Sequence, residues 1–118
     1  MQFTTDIIHD TIVIFRPEAR LDLSNSDEFE SIMNKLRETY PACNFIVDLS
    51  GVEYMSSTGM RVIISAFRKL KEIGLHLVIL KPHGICAKLI DVVKLDKLID
   101  VFDSEEEAIQ FLKGFHKK

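Results

Sequence analysis

The chain switches repeatedly between two hydrophobic periods. Phe3–Ile8 mixes apolar and polar positions, and Thr11–Phe15 is apolar and β-branched. With His9-Asp10 as a tight turn between them, the two runs predict an antiparallel hairpin. Pro17 is expected to end the second strand. Ser24-Asn25-Ser26-Asp27-Glu28 then supplies several cap candidates with acids in the first turn. Behind it Phe29, Ile32, Met33, Leu36 and Tyr40 recur at i, i+3, i+4, i+7 and i+11. That spacing places one apolar face on a helix, which Pro41 stops.

Phe45–Leu49 has the profile of a strand buried on both faces. Met60, Ile63, Ile64, Phe67 and Leu70 again share one helical face, and Gly74 suits the residue just past a helix end. His76–Leu80 is a further buried strand, so residues 45–80 form a βαβ unit with parallel strands. Ile85–Val93 predicts a helix with Leu89, Ile90 and Val93 inward, and Leu98–Phe102 predicts a short edge strand. Asp103-Ser104-Glu105-Glu106-Glu107 caps a last amphipathic helix carrying Ile109, Leu112 and Phe115 on its face. The expected class is α/β: one domain over residues 1–118, with a mixed, mostly parallel sheet of about five strands and about four helices.

Composition adds exclusions. The chain has 118 residues, 47% apolar and 28% charged, which is globular rather than disordered. A chain of this length buries a core without disulfides or metal. Cys43 and Cys86 are read as buried reduced thiols in preference to a disulfide. His9, His76, His83 and His116 form no metal pattern and are expected at the surface or at strand ends. No cofactor is expected. The net charge of −3 disfavours nucleic acid as a partner. The longest apolar runs are too short to cross a membrane. Met1–Asp6 lacks the basic and apolar regions of a secretory signal, and the expected location is cytoplasmic. Lys113, Lys117 and Lys118 with His116 make a small basic tail that reads as a solvated helix end.

In open α/β sheets function concentrates beyond the carboxyl ends of the parallel strands. Attention therefore falls on the segment from Asp48 to Met60, where Ser56, Ser57 and Thr58 stand together at a helix start. One such hydroxyl is enough to cap a helix; three in a row leave room for a functional one. A phosphoryl group there would meet exposed N–H groups and the positive end of the helix dipole. Asp48 and Lys81-Pro82 faintly suggest a receiver domain, but the acidic pair such a domain needs after its first strand is missing. No nucleophile elbow, P-loop or dinucleotide fingerprint is present.

These residues carry a resemblance. Arg20-Leu21-Asp22, the run Val47–Met55, Ser56-Ser57-Thr58-Gly59-Met60-Arg61, Gly74–Ile79 and Leu95–Phe102 resemble STAS-domain proteins of the bacterial anti-sigma-factor antagonist family, in the same order along nearly the whole chain. The resemblance implies a non-enzymatic regulator of transcription that switches partners. In that family a serine at the helix start is phosphorylated by a partner kinase, itself the anti-sigma factor. Aligning Asp48-Leu49-Ser50 and Gly59 puts the acceptor at Ser57, with Ser56 and Thr58 as alternatives. The preceding position is often Asp in the family and is Ser56 here. The implied partners are an anti-sigma serine kinase of GHKL type and a PP2C-type phosphatase.

The expected partner-binding residues are Asp22, Met55, Ser56, Thr58, Gly59, Met60 and Arg61. Met55 and Met60 would be adaptable contacts if exposed, whereas Met60 also shares the core face of Ile63, Ile64 and Phe67. Arg61 lies off that face. Two other readings stand beside this one: a partner switch controlling something other than a sigma factor, and a small nucleotide-binding or enzymatic α/β protein using the loop 50–59.

Overall fold

The computed structural model describes residues 1–115. The basic tail expected at His116, Lys117 and Lys118 lies outside the described residues. The elements run β1 (Phe3–Ile8), β2 (Ile12–Pro17), α1 (Ser26–Thr39), β3 (Asn44–Asp48), α2 (Ser57–Glu72), β4 (Leu77–Leu80), α3 (Gly84–Val92), a 3₁₀ turn (Leu95–Lys97), β5 (Val101–Phe102) and α4 (Glu105–Lys113). The strands form one sheet in the order β1-β2-β3-β4-β5. β1 and β2 are antiparallel, from Ile8 opposite Ile12 to Phe3 opposite Pro17. The remaining neighbours are parallel. His9 and Asp10 turn the hairpin with φ of 51° and 58°, the left-handed backbone of the primed turns.

The period of two along each strand sorts side chains to two faces. Val13, Phe15, Phe45, Val47, Leu77 and Ile79 meet the apolar faces of α1, α2 and α3. Ile12, Ile14, Ile46, Val78 and Leu80 meet Ala108 and Leu112 of α4. Helices on both sides explain why every residue of β3 and β4 is buried.

Pro17 does end β2, as its last residue, beyond the register with β3, where a missing N–H costs the ladder nothing. Some local expectations are corrected. Val93 was expected inward but is 49% exposed. α3 has ended by then, and Lys94 takes φ 58°, which turns the chain away. Cys86 and Ile90 are the residues α3 buries. The strand expected over Leu98–Phe102 shrinks to Val101–Phe102, because the residues before it wind into the 3₁₀ turn. Cys43 and Cys86 are both buried and both free.

Candidate functional site

β3 ends at Asp48, which is buried and held from two sides. One carboxylate oxygen accepts the Ser50 N–H at 2.9 Å, and the other accepts from the Arg16 guanidinium at 2.8 Å. Arg16 also pairs with Asp6 at 3.0 Å and with Glu105 at 2.8 Å. Burial pushes the Asp48 carboxyl up, but the Ser50 and Arg16 hydrogen bonds outweigh it and leave the group below the usual carboxylate range. Burial likewise opposes the Arg16 charge, and its three carboxylate partners overcome that and raise its pKa above an ordinary arginine's. This network ties the end of β3 to β1, β2 and the start of α4.

The loop after β3 is pinned rather than free. Leu49, Val52 and Met55 point into the core at 0%, 0% and 1% exposure. From the α3 side, the His83 Nε2 lies 3.0 Å from the Ser50 carbonyl oxygen, and the Cys86 thiol donates to the Val52 carbonyl at 3.4 Å. Burial pushes the Cys86 thiol pKa up, keeping it a neutral donor. On the other side the loop zips to the segment before α1. Leu21 N–H donates to the Tyr54 carbonyl at 3.0 Å, and Ser56 N–H donates to the Leu21 carbonyl at 2.9 Å, making an isolated parallel bridge between Leu21 and Met55. The Arg20 guanidinium stacks 4.4 Å from the Tyr54 ring centroid.

The hydroxyls divide their tasks at the start of α2. Ser56 is the N-cap, with extended backbone (φ −93°, ψ 173°), and its Oγ accepts the Gly59 N–H at 3.4 Å. Ser57 is the first helical residue and is exposed; its hydroxyl makes no hydrogen bond to any described residue. Thr58 is half-buried between two depressions. One is lined with Arg20, Asp22, Leu23, Ser24, Tyr54 and Ser56. The other runs between α1 and α2 and is lined with Asp27, Glu30, Arg61 and Ser65 among others.

Of the expected partner-binding residues, Asp22, Ser56, Thr58 and Arg61 flank Ser57 on the surface. Asp22 also has a local task. It accepts the Ser24 N–H at 3.0 Å together with the Ser24 hydroxyl, and Arg20 Nε lies 3.4 Å away. These bonds, the Ser24 hydroxyl foremost, hold its carboxyl below the ordinary value. Met55 and Met60 are corrected: at 1% and 4% exposure both are core residues, so neither offers a contact in this conformation. Gly59 is buried too, packed on the Leu21 backbone. The sequence reading missed Leu23, an apolar side chain 78% exposed beside the site, and the stacked pair Arg20 and Tyr54. Leu23 follows Asp22 directly, but nothing in a single sequence marks a leucine as outward-facing.

Among the described residues no cluster of His, Cys, Asp and Glu is arranged to hold a metal ion, and no helix is long and apolar enough to cross a membrane.

The arrangement has counterparts among known proteins. A family profile described as the STAS domain matches residues 4–108. An anti-sigma F factor antagonist from Paenibacillus polymyxa is 22% identical over 105 residues, covering 89% of this chain and 90% of that protein. A Thermotoga maritima protein assigned as an anti-sigma factor antagonist superposes with a TM-score of 0.85 at 22% identity, over 94% of both chains. The antagonist SpoIIAA superposes in its unphosphorylated form with a TM-score of 0.80 at 18% identity, over 96% of this chain and 97% of that one. SpoIIAA from Bacillus in its phosphorylated form gives 0.70 at 19% identity, over 92% and 97%.

Proposed function

The chain belongs to the STAS-domain family, and from that premise we propose that it is an anti-sigma factor antagonist switched by phosphorylation at Ser57. Unmodified, it binds an anti-sigma serine kinase of GHKL type and so frees a sigma factor. The kinase transfers the γ-phosphoryl group of ATP: the bond from phosphorus to Ser57 Oγ forms, the bond to ADP breaks, and the hydroxyl proton passes to a base of the kinase. The phosphorylated protein releases the kinase. A PP2C-type phosphatase returns the hydroxyl by hydrolysis, giving inorganic phosphate. The protein acts as a binding module in the cytoplasm, without catalysis of its own.

One observation carries this reading. Ser56 takes the cap of α2, which leaves the Ser57 hydroxyl exposed and without a partner among the described residues at the mouth of the parallel strands. Ser56, where the family often has Asp, thus has a structural task of its own. The relatives named as anti-sigma factor antagonists, and SpoIIAA solved with and without phosphate, agree with it. The test is phosphopeptide mapping after incubation with the cognate kinase and ATP. Ser57→Ala is expected to abolish labelling, while Ser56→Ala and Thr58→Ala keep at least part of it. Full labelling of Ser57→Ala with loss in Ser56→Ala would overturn the assignment.

A further inference from the structure

Arg61 is the exposed cation nearest in sequence to Ser57 on α2, and it is unengaged. It makes no hydrogen bond, ion pair or ring contact with any described residue, although the carboxylates of Asp27 and Glu30 line the same groove. Three of the other four arginines are committed: Arg16 to three carboxylates, Arg20 to Asp22 and the Tyr54 ring, and Arg37 to Asn34; Arg68, further along α2, is exposed and likewise unpaired among the described residues.

Its position follows from helix geometry. Four residues advance an α-helix by about 6 Å, and at 100° per residue Arg61 lies about 40° around the axis from Ser57 and about 60° from Thr58, between the two. Residues at i and i+4 are neighbours on a helix surface, and the order with the anion N-terminal to the cation is the favourable one. A phosphoserine brings about 1.5–2 negative charges and three acceptor oxygens. It therefore offers a guanidinium more than either single carboxylate across the groove, and it can be gripped by two N–H groups at once.

We propose that Arg61 closes onto the phosphate of phosphorylated Ser57, holding it against the first turn of α2 and withdrawing its own guanidinium from the partner-binding surface. The proposal rests on Ser57 as the acceptor. It gives phosphorylation two effects in one step: a charge is added at the contact surface and a cation is removed from it.

The test does not depend on the kinase. Phosphoserine is installed at position 57 by semisynthesis, and the second phosphate ionisation is followed by ³¹P NMR. The helix dipole acts on every variant alike, so differences isolate the arginine. The phosphate in the otherwise unchanged chain is expected to titrate below the ordinary value of about 6. Arg61→Ala should raise that midpoint by about half a pH unit, and Arg61→Lys should raise it by less. Arg68→Ala, about 16 Å along the helix from Ser57 and beyond the screening length of about 10 Å at 0.1 M salt, should leave it unchanged. Identical titrations for Arg61→Ala and the unchanged arginine would overturn the proposal, as would equal shifts from Arg61→Ala and Arg68→Ala. If Ser57 is not the acceptor, the failure shows in the kinase labelling experiment and not in this titration.

Discussion

Gly59 sits so tightly beneath Leu21 that a Cβ built on it would lie 2.4 Å from the Leu21 carbonyl oxygen. That carbonyl already accepts the Ser56 N–H, so it cannot retreat without opening the bridge between the loop and the segment before α1. The glycine lets the first turn of α2 dock on backbone and thereby sets where Ser57 stands.

Gly59→Ala should therefore destabilise the protein. In an open helix the change would gain about 1 kcal/mol from helix propensity. Here the clash is with backbone, and overpacking of this kind costs about 1–3 kcal/mol or more. The expected outcome of thermal unfolding is a net loss in Tm, together with weakened protection of the Ser56 amide in hydrogen exchange. A stabilised Gly59→Ala protein would show that the close approach is absent in solution.

Met55→Ala tests whether that methionine is core or contact. Truncating a buried methionine costs about 2–5 kcal/mol, so denaturant unfolding should shift strongly. An unchanged midpoint with impaired partner binding would restore Met55 to the surface.

The Asp48–Arg16 pair should govern acid stability. The Asp48 carboxyl is held below its unfolded-state value, so its contribution is fully present above the unfolded pKa of about 3.9. It is lost as pH falls through the lower folded value. Asp48→Asn should destabilise the protein at pH 7 by about 1–3 kcal/mol, because the half-buried Arg16 contact loses its charge partner, with Asp6 and Glu105 moderating the loss. It should also flatten the fall of stability below about pH 4. Urea unfolding of both proteins from neutral to acidic pH measures both effects; parallel curves would remove Asp48 from the acid response.

Phosphorylation should alter binding and leave folding nearly untouched. An exposed anion at a helix N-terminus gains about 0.3–1 kcal/mol, and for a chain of this size 1 kcal/mol corresponds to about 4 °C in Tm. At an interface the same charge, desolvated and unpaired, costs about 2–5 kcal/mol, a loss of about 30-fold to several thousand-fold in affinity. Ser57→Asp, as an imperfect mimic, should melt within a few degrees of the unmodified protein and bind the kinase far more weakly. A fall in Tm of about 10 °C on phosphorylation, well beyond the dipole contribution, would point to a conformational mechanism.

Arg61→Ala in the unphosphorylated protein should weaken kinase binding by about 10-fold, the effect of an arginine contact worth about 1.4 kcal/mol. Its Tm should hardly move, since the side chain is exposed and unpaired. Unchanged affinity in a calorimetric titration would remove Arg61 from the interface.

Local period and punctuation alone determined the hairpin, the apolar faces of α1 and α2, the parallel pairing of β3 and β4 and the three hydroxyls at a helix start. These are short-range properties: a period of 2 or 3.6, a proline stop, a cap. The resemblance placed Ser57 in the candidate site, again through contiguous residues. Tertiary structure decided which hydroxyl caps, because Ser56 is steered into the cap by its N–H bond to Leu21, 35 positions earlier in the chain. It decided that Met55 is core, since a loop methionine has no period to reveal its direction and is buried only because the loop zips onto residues 20–22. It also decided that Arg16 meets Asp48 and Glu105, and that Leu23 is left outside. Sheet register and helix docking join segments far apart in sequence, and no local pattern encodes which side chains will then face one another.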